Sequence, residues 1–202
     1  PFNIQSRADS CVKHPDVFKR LKQAGCVSAR IGFESGNQRI LDLMRKGTTV
    51  EQIRRAVKDA KDVGLKVSTP FLFGIPGETY AEGLQTIDFA LELDPDMANF
   101  HAITPFPGTE LYEKIAQYGT LSADLTDYTY QGAAFVPFTM TKEEILMLRQ
   151  TAFKRFYSRP SFIVRKVLQF RSLSDLRVAA KSARSLFWLW AKEGVFRKKG
   201  SG

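Results

Sequence analysis

Three places in the chain join a side chain able to do chemistry to the backbone freedom of glycine or the rigidity of proline. They are Ile31-Gly32-Phe33-Glu34-Ser35-Gly36, the stretch from Val67 to Thr79 with its Gly74-Ile75-Pro76-Gly77 turn, and Pro105-Phe106-Pro107-Gly108-Thr109. Each follows an apolar run. Glu34 stands where such a run gives way to a helix, and a carboxylate there can accept from hydroxyls such as those of a ribose, or from an ammonium group. It can equally cap the next helix or pair with a nearby base such as Arg7. Lys46 closes the helix after Glu34. The helix dipole favours a cation at that end with no ligand at all, and the same ammonium group can hold a substrate carboxylate. Gly74 and Gly77 let the backbone approach a flat ligand closely, and Pro76 fixes the turn and removes one N–H. Glu78, in the first turn of the next helix, reads as structural. His14 and His101 are too far apart in sequence to imply a shared site. His101 falls on an inner strand, where a satisfied core residue is the favoured reading and a cavity-facing one the alternative. There is no Ser-His-Asp arrangement, Walker loop or zinc spacing. Cys11 and Cys26 are the only cysteines. Without a local pairing motif they make no metal site by themselves and fit a reducing compartment.

The elements that must position these groups follow from periodicity and helix signals. Residues 2–8 read as a strand. His14-Pro15-Asp16 opens a helix with Pro at its first position, Val17, Phe18, Leu21 and Ala24 form its apolar face, and Gly25 stops it. A strand over Val27 to Phe33 leads to a helix through Ile40, Leu41 and Met44, ending at Lys46-Gly47. Thr49 with Gln52 forms a capping box for a helix with Ile53, Val57 and Ala60 inward, stopped at Gly64. The run from Val67 is apolar without interruption, as in a strand buried on both faces of a parallel sheet. Thr79 and Glu82 form a second capping box, and Ala98 to Ile103 a further strand, with a helix from near Glu110. Strand and helix thus alternate four times through residue 118, the pattern of right-handed parallel βα units. Ligands bind at the carboxyl ends of such strands. Spacing alone does not separate a barrel from an open sheet. Four strands are too few to close a barrel, and an unclosed sheet exposes its edges. Residues 119–140 read as irregular. Thr141 with Glu144 forms a third capping box, and after Pro160 helices are expected over about 161–171 and 175–192.

With 44% hydrophobic and 12% aromatic residues the chain is globular in composition. Its net charge of +9 is uneven: residues 1–140 hold 15 basic against 17 acidic side chains, and residues 141–202 hold 15 against 4. The basic excess belongs to the tail and says nothing of nucleic acid binding by the rest. It suggests a division into 1–118, an irregular connection 119–140, and a basic helical extension 141–202. No apolar run approaches the roughly 20 residues of a membrane span. The chain begins Pro-Phe-Asn and reads as part of a longer polypeptide.

Taken together and in order, Ser6-Arg7-Ala8-Asp9, Ala24-Gly25-Cys26, Ile31 to Gly36, Lys46-Gly47-Thr48, Phe73 to Thr79 and Pro105 to Thr109 closely resemble the second half of the core domain of radical S-adenosylmethionine (SAM) enzymes. Phe156-Tyr157-Ser158-Arg159-Pro160 resembles the region after that core. The likeness is greatest to the cobalamin-binding branch that includes the anaerobic magnesium-protoporphyrin ester cyclase-like proteins. It covers residues 1–118 strongly and 141–171 loosely. Any one motif is common; six in register are specific. The resemblance implies an α/β fold, the C-terminal part (strands three to six) of a partial (β/α)6 TIM-like barrel, with a helical extension after it. In that family a C-x3-C-x2-C loop binds a [4Fe-4S] cluster, soft thiolates being suited to iron–sulfur ligation. SAM chelates the open iron, and its reductive cleavage yields a 5′-deoxyadenosyl radical that takes hydrogen from the substrate. Cys11 and Cys26 lack the loop's spacing, so the cluster ligands are expected upstream and this chain supplies no metal ligand. By family position Arg7 and Glu34 contact the methionine or ribose part of SAM, Lys46 lies near the SAM carboxylate, and Gly74, Ile75 and Pro76 flank the adenosine through the backbone. Pro70 stands where some relatives carry a polar ribose contact. No residue of the chain is assigned a catalytic role.

The resemblance implies methylation, cyclisation or rearrangement of a lipid- or tetrapyrrole-like small molecule. Its cofactors are SAM, the upstream [4Fe-4S] cluster and cobalamin on an upstream domain, and the enzyme is expected in the cytoplasm. The alternatives are a tRNA or protein methylthiotransferase-type enzyme, and a degenerate barrel acting as a binding module. The chain alone, without cluster cysteines, is expected to be inactive; its partner is the remainder of the same polypeptide. In the tail, residues 174–192 place Leu176, Ala180, Ala183, Phe187 and Trp190 on one helical stripe, with Arg177, Lys181 and Arg184 near or opposite it. A helix packed on the barrel with a solvated basic face is favoured, and peripheral contact with an anionic membrane is the alternative. The tail lacks the strand-rich RNA-binding module of tRNA-modifying relatives, which counts against nucleic acid.

Overall fold

Four parallel strands, each paired with its sequence neighbour, carry Arg7, Glu34 and the Gly74 turn at or just beyond their carboxyl ends. The structure is a computed structural model and describes residues 1–14, 16–129 and 132–168. Strands β1 (Phe2–Arg7), β2 (Cys26–Gly32), β3 (Lys66–Phe73) and β4 (Met97–Ala102) lie in the order β1-β2-β3-β4. Helices α1 (Ala8–Lys13) and α2 (Val17–Gln23) join β1 to β2, α3 (Gln38–Leu43) and α4 (Val50–Asp62) join β2 to β3, and α5 (Tyr80–Leu93) joins β3 to β4. Short helices α6 (Glu110–Glu113) and α7 (Ile115–Tyr118), an antiparallel pair β5 (Gly119–Leu121) and β6 (Phe135–Pro137), and the long helix α8 (Lys142–Tyr157) follow. This first compact unit ends at Tyr157. The second begins at Ser158 and contains α9 (Pro160–Val167). Residues 169–202 lie outside the described residues, and with them the helix expected over 175–192 and its apolar stripe.

All three capping boxes close, with side chain and backbone bonded reciprocally at Thr49/Gln52, Thr79/Glu82 and Thr141/Glu144. No local signal announces helix α1, which lies between the strand read over 2–8 and the helix read from His14 and takes Ala8 from that strand. It has no side-chain N-cap, and what it buries is Ala8 and Cys11, so packing and not a local signal accounts for it. The β5/β6 pair inside 119–140 has three residues a strand, too few for a period to show.

Among the described residues of the first unit, helices cover one face of the sheet only. Ala29, Ile31, Val67, Phe71, Phe73, Ala98 and Ala102 are buried on that face, where Phe71 stacks on Phe100 at 5.6 Å between ring centroids. β3 is therefore not buried on both faces. Its residues alternate between buried and half-exposed, and its sequence looks uniformly apolar because Pro70 and Leu72 occupy the open side.

The free edge of β4 is covered by α8. The Tyr157 hydroxyl donates to the Ala98 carbonyl (2.7 Å) and accepts from the Ala98 amide (3.3 Å), while Arg149 Nε donates to the Phe100 carbonyl at 3.3 Å. Phe156 meets Phe100 edge-on at 5.8 Å. Gly83 of α5 is required here, since a Cβ would lie 2.4 Å from Leu148 Cδ1 of α8. Helix α8 therefore belongs to the same compact unit as the sheet, and the charge change at Thr141 falls within that unit. Tyr157→Phe is expected to cost about 1–2 kcal/mol by leaving the Ala98 amide and carbonyl without partners. Urea unfolding and a rise in Ala98 amide exchange measure it; unaltered exchange there would speak against an edge-capping role.

Candidate functional site

Glu34 departs from strand geometry. Its φ is +66°, in the left-handed region that L-residues enter at a cost of about 1–2 kcal/mol. The backbone is held there from both sides, Glu34 N donating to the Pro70 carbonyl (3.2 Å) and Leu72 N to the Glu34 carbonyl (2.8 Å). The carboxylate lies against Gly32, so close that a Cβ on Gly32 would sit 2.9 Å from Glu34 Oε1. A glycine two residues earlier and a left-handed glutamate thus act as one device that lays a carboxylate along the strand end.

Lys46 reaches the same point by way of a helix stop. Helix α3 ends at Leu43, so Lys46 lies beyond it, not at its last turn. Arg45 takes φ +52°, its N–H bonds the Asp42 carbonyl (2.9 Å), and Lys46 N–H bonds the Leu41 carbonyl (3.0 Å). This is the bond pair usually served by a glycine. Lys46 Nζ then donates to Glu34 Oε1 at 2.8 Å, with the two side chains 24% and 13% exposed. Arg7, at the end of β1, donates from Nε to Asp9 (3.0 Å) and from Nη2 to the Lys46 carbonyl. The structure therefore brings Arg7, Glu34 and Lys46 together, and the base paired with Glu34 is Lys46, not Arg7.

The loop behind Glu34 is anchored to α5. Ser35 and Thr86 are both fully buried, their hydroxyls 3.1 Å apart, and Thr86 Oγ1 also accepts from Gly36 N at 3.1 Å. A Cβ at Gly36 would meet Phe89 Cβ at 2.4 Å. Thr86 was missed in the sequence, where its only signal is a hydroxyl beside the apolar Ile87.

The Gly74–Gly77 turn is held from within. Gly74 and Gly77 have φ of +77° and +78°. Glu78 precedes the N-cap Thr79 and is fully buried, a placement the sequence did not disclose. Its Oε2 accepts from Gly74 N (2.8 Å) and Ile75 N (3.2 Å), while buried Oε1 has no hydrogen-bond partner. Burial pushes its carboxyl up to about 7, against the opposing pull of the two amide bonds. The neighbouring Glu82 is held at about 2, chiefly by hydrogen bonds from Arg39, which also donates to the Gly77 carbonyl at 2.7 Å. Because Glu78 occupies the amides of Gly74 and Ile75 and Pro76 has none, these three residues offer a ligand shape and not N–H donors.

His101 pairs in register with Leu72 on the open face and is half-exposed, not a core residue. Cys11 Sγ donates to Ser6 Oγ and Cys26 Sγ to the Ser28 carbonyl; both are free and buried. Among the described residues no three His, Cys, Asp or Glu side chains gather in a possible metal site. An open groove of about 350 Å³ on the outer side, between α4 and α5, is lined by Arg54, Lys61 and Glu92, far from the strand ends and with its charges already paired.

A family model described as the radical SAM superfamily matches residues 4–90, the span that contains Arg7, Glu34, Lys46 and the Gly74 turn. Residues 4–90 belong to the radical SAM superfamily. An uncharacterized methyltransferase of Pyrococcus horikoshii is 38% identical over 154 residues, 76% of this chain and 34% of its own length. The anaerobic magnesium-protoporphyrin IX monomethyl ester cyclase of Rubrivivax gelatinosus is 26% identical over 80% of this chain and 29% of its own, in keeping with the branch that the motifs resemble. The chain thus spans about a third of the length of these curated relatives. Among solved structures, a radical SAM methyltransferase of Kitasatospora setae, bound to tryptophan substrate and a SAM analog, has a TM-score of 0.56 at 17% identity, covering 79% of this chain and 36% of its own. That likeness shows the radical SAM fold, of which the four parallel strands here are a part.

Proposed function

We propose that this chain is the SAM-binding part of a cobalamin-branch radical SAM enzyme that methylates, cyclises or rearranges a small molecule. The observation that carries the reading is the convergence of Arg7, Glu34 and Lys46 at the carboxyl ends of β1 and β2, with Gly32 leaving room for the carboxylate. SAM suits this set: its ribose hydroxyls and ammonium group are donors for Glu34, and its carboxylate is a partner for a guanidinium or ammonium group. Bound to a [4Fe-4S] cluster on upstream cysteines, SAM would supply the radical chemistry of hydrogen abstraction, with Glu34 and the Gly74 turn of this chain holding it in place. Glu34 accepts from the ligand, Lys46 balances its charge, and Arg7 holds the Lys46 loop against β1. Gly74, Ile75 and Pro76 wall the adenosine side by shape, and Glu78 keeps that wall in place. Cobalamin belongs to an upstream domain and no residue here is assigned to it. Relatives named as a methyltransferase and a cyclase support this range of reactions.

The partner of the chain is the rest of its own polypeptide, and the proposed setting is the cytoplasm. No helix among the described residues is long and apolar enough to cross a membrane. Membrane contact through 174–192 forms no part of the proposal. Anaerobic reconstitution of the full-length protein, followed by an assay for 5′-deoxyadenosine, tests the reading. Product is expected from the cluster-loaded full-length protein and none from residues 1–202 alone. A cluster-loaded sample that leaves SAM intact would sink it.

A further inference from the structure

The face of the sheet that the described helices of the first unit leave bare is polar. Asn3 pairs in register with Ser28, Gln5 with Arg30, Arg30 with Ser68, and Arg7 with Gly32. On β4, Asn99 and His101 stand opposite Pro70 and Leu72. None of these residues is buried, whereas the alternate positions Ala29, Ile31, Val67 and Phe71 are wholly so. Gln5, Arg30 and Ser68 therefore form one transverse row, an amide, a guanidinium and a hydroxyl at the interstrand spacing of about 4.8 Å.

The charges on this face are unbalanced. Arg7, Arg30 and Lys66 are cations, and the acid among the described residues of the face is Glu34, already tied to Lys46. Arg7 is engaged by Asp9. Arg30 is exposed, and its side chain makes no hydrogen bond or ion pair among the described residues. A barrel completed by the upstream segment would enclose this guanidinium, and an enclosed charge needs a counter-charge. Its planar fork fits a carboxylate or phosphate with two parallel hydrogen bonds. Gly32, the next residue of β2 on this face, has no side chain. Nothing of β2 then stands between Arg30 and the Glu34 carboxylate, which lies back against Gly32, two residues and about 7 Å of strand beyond Arg30.

We propose that the substrate carries an anionic oxygen group, of carboxylate or phosphate type, bound by the Gln5–Arg30–Ser68 row. This rests on the SAM-enzyme reading above and narrows it: a carboxylated or phosphorylated small molecule fits the barrel face, and a neutral lipid does not. The test uses the full-length, cluster-reconstituted protein, with and without saturating SAM, titrated calorimetrically with inorganic phosphate and with succinate. The wild type is expected to bind at least one probe. Arg30→Gln should weaken that binding about tenfold or more, the loss of one charge-assisted hydrogen-bonded pair, and Arg30→Lys should restore part of it. SAM affinity should be the same in all three proteins. Preference for phosphate indicates a phosphorylated substrate, and preference for succinate a carboxylated one. Equal affinity of wild type and Arg30→Gln for both probes, or binding of neither by the wild type, overturns the proposal. Failure of SAM itself to bind would instead strike the reading of the previous section, while the dependence of anion binding on Arg30 would still be read from the SAM-free arm.

Discussion

Glu34→Gln is expected to weaken SAM binding by the full-length protein about ten- to a hundredfold while scarcely moving its thermal unfolding. A hydrogen bond to a charged group contributes about 1.5–3 kcal/mol, and each 1.4 kcal/mol is a factor of ten. Glutamine keeps the size of the side chain and one acceptor oxygen, so the packing against Gly32 and the bond from Lys46 Nζ survive in reduced form. What is lost is the charge that matches an ammonium group and strengthens acceptance from ribose hydroxyls. Gly32→Ala should have a related effect by another route, because its Cβ would approach Glu34 Oε1 to 2.9 Å and push the carboxylate off its position. Equilibrium binding of SAM and a melting curve on each variant separate the two roles. A lowered melting temperature with unchanged SAM affinity would mean that the Glu34–Lys46 pair serves only the fold.

The second large effect is on pH-dependent stability, through Glu78. Its carboxyl titrates at about 7 in the folded protein, from an ordinary value of 4.5, because burial penalises the charge more than the amides of Gly74 and Ile75 stabilise it. Below pH 4.5 both folded and unfolded states are protonated at this group and it contributes no pH dependence. Between 4.5 and 7 the folded state keeps a proton that the unfolded state has lost, so stability falls as pH rises. Above 7 the full cost stands, on the order of 3 kcal/mol at 1.36 kcal/mol per pKa unit. Glu78→Gln keeps an oxygen for the two amides and removes the charge. It is expected to flatten the slope between pH 4.5 and 7 and to raise stability at pH 8 by up to about 3 kcal/mol. Urea unfolding of both proteins at pH 4.5, 6 and 8 measures this. Parallel pH profiles would show that Glu78 is solvated or paired in a way this geometry does not contain. The variant should also test the turn, since a wall for adenosine that depends on Glu78 only as a bridge between amides should tolerate Gln with SAM affinity intact.

Local signals in the sequence determined the order of the four parallel strands and of the helices between them apart from α1, three capping boxes, the helix stops at Gly25 and Gly64, and the carboxyl-end positions of Glu34 and the Gly74 turn. These are interactions between residues a few positions apart, and residue type alone expresses them. The tertiary structure decided the rest. Lys46 meets Glu34 across 12 positions because Arg45, not a glycine, takes the left-handed stop and turns the chain back. Thr86 fixes Ser35 from 51 positions away, and Tyr157 seals Ala98 from 59. Glu78 looks like an ordinary first-turn acid until α8 closes over the turn, where Thr139 donates to its carbonyl and Ile145 fills the space beside Gly74. Such pairings depend on strand register and on which helix covers which edge. Their energy comes from burial and desolvation, which no short stretch of sequence contains.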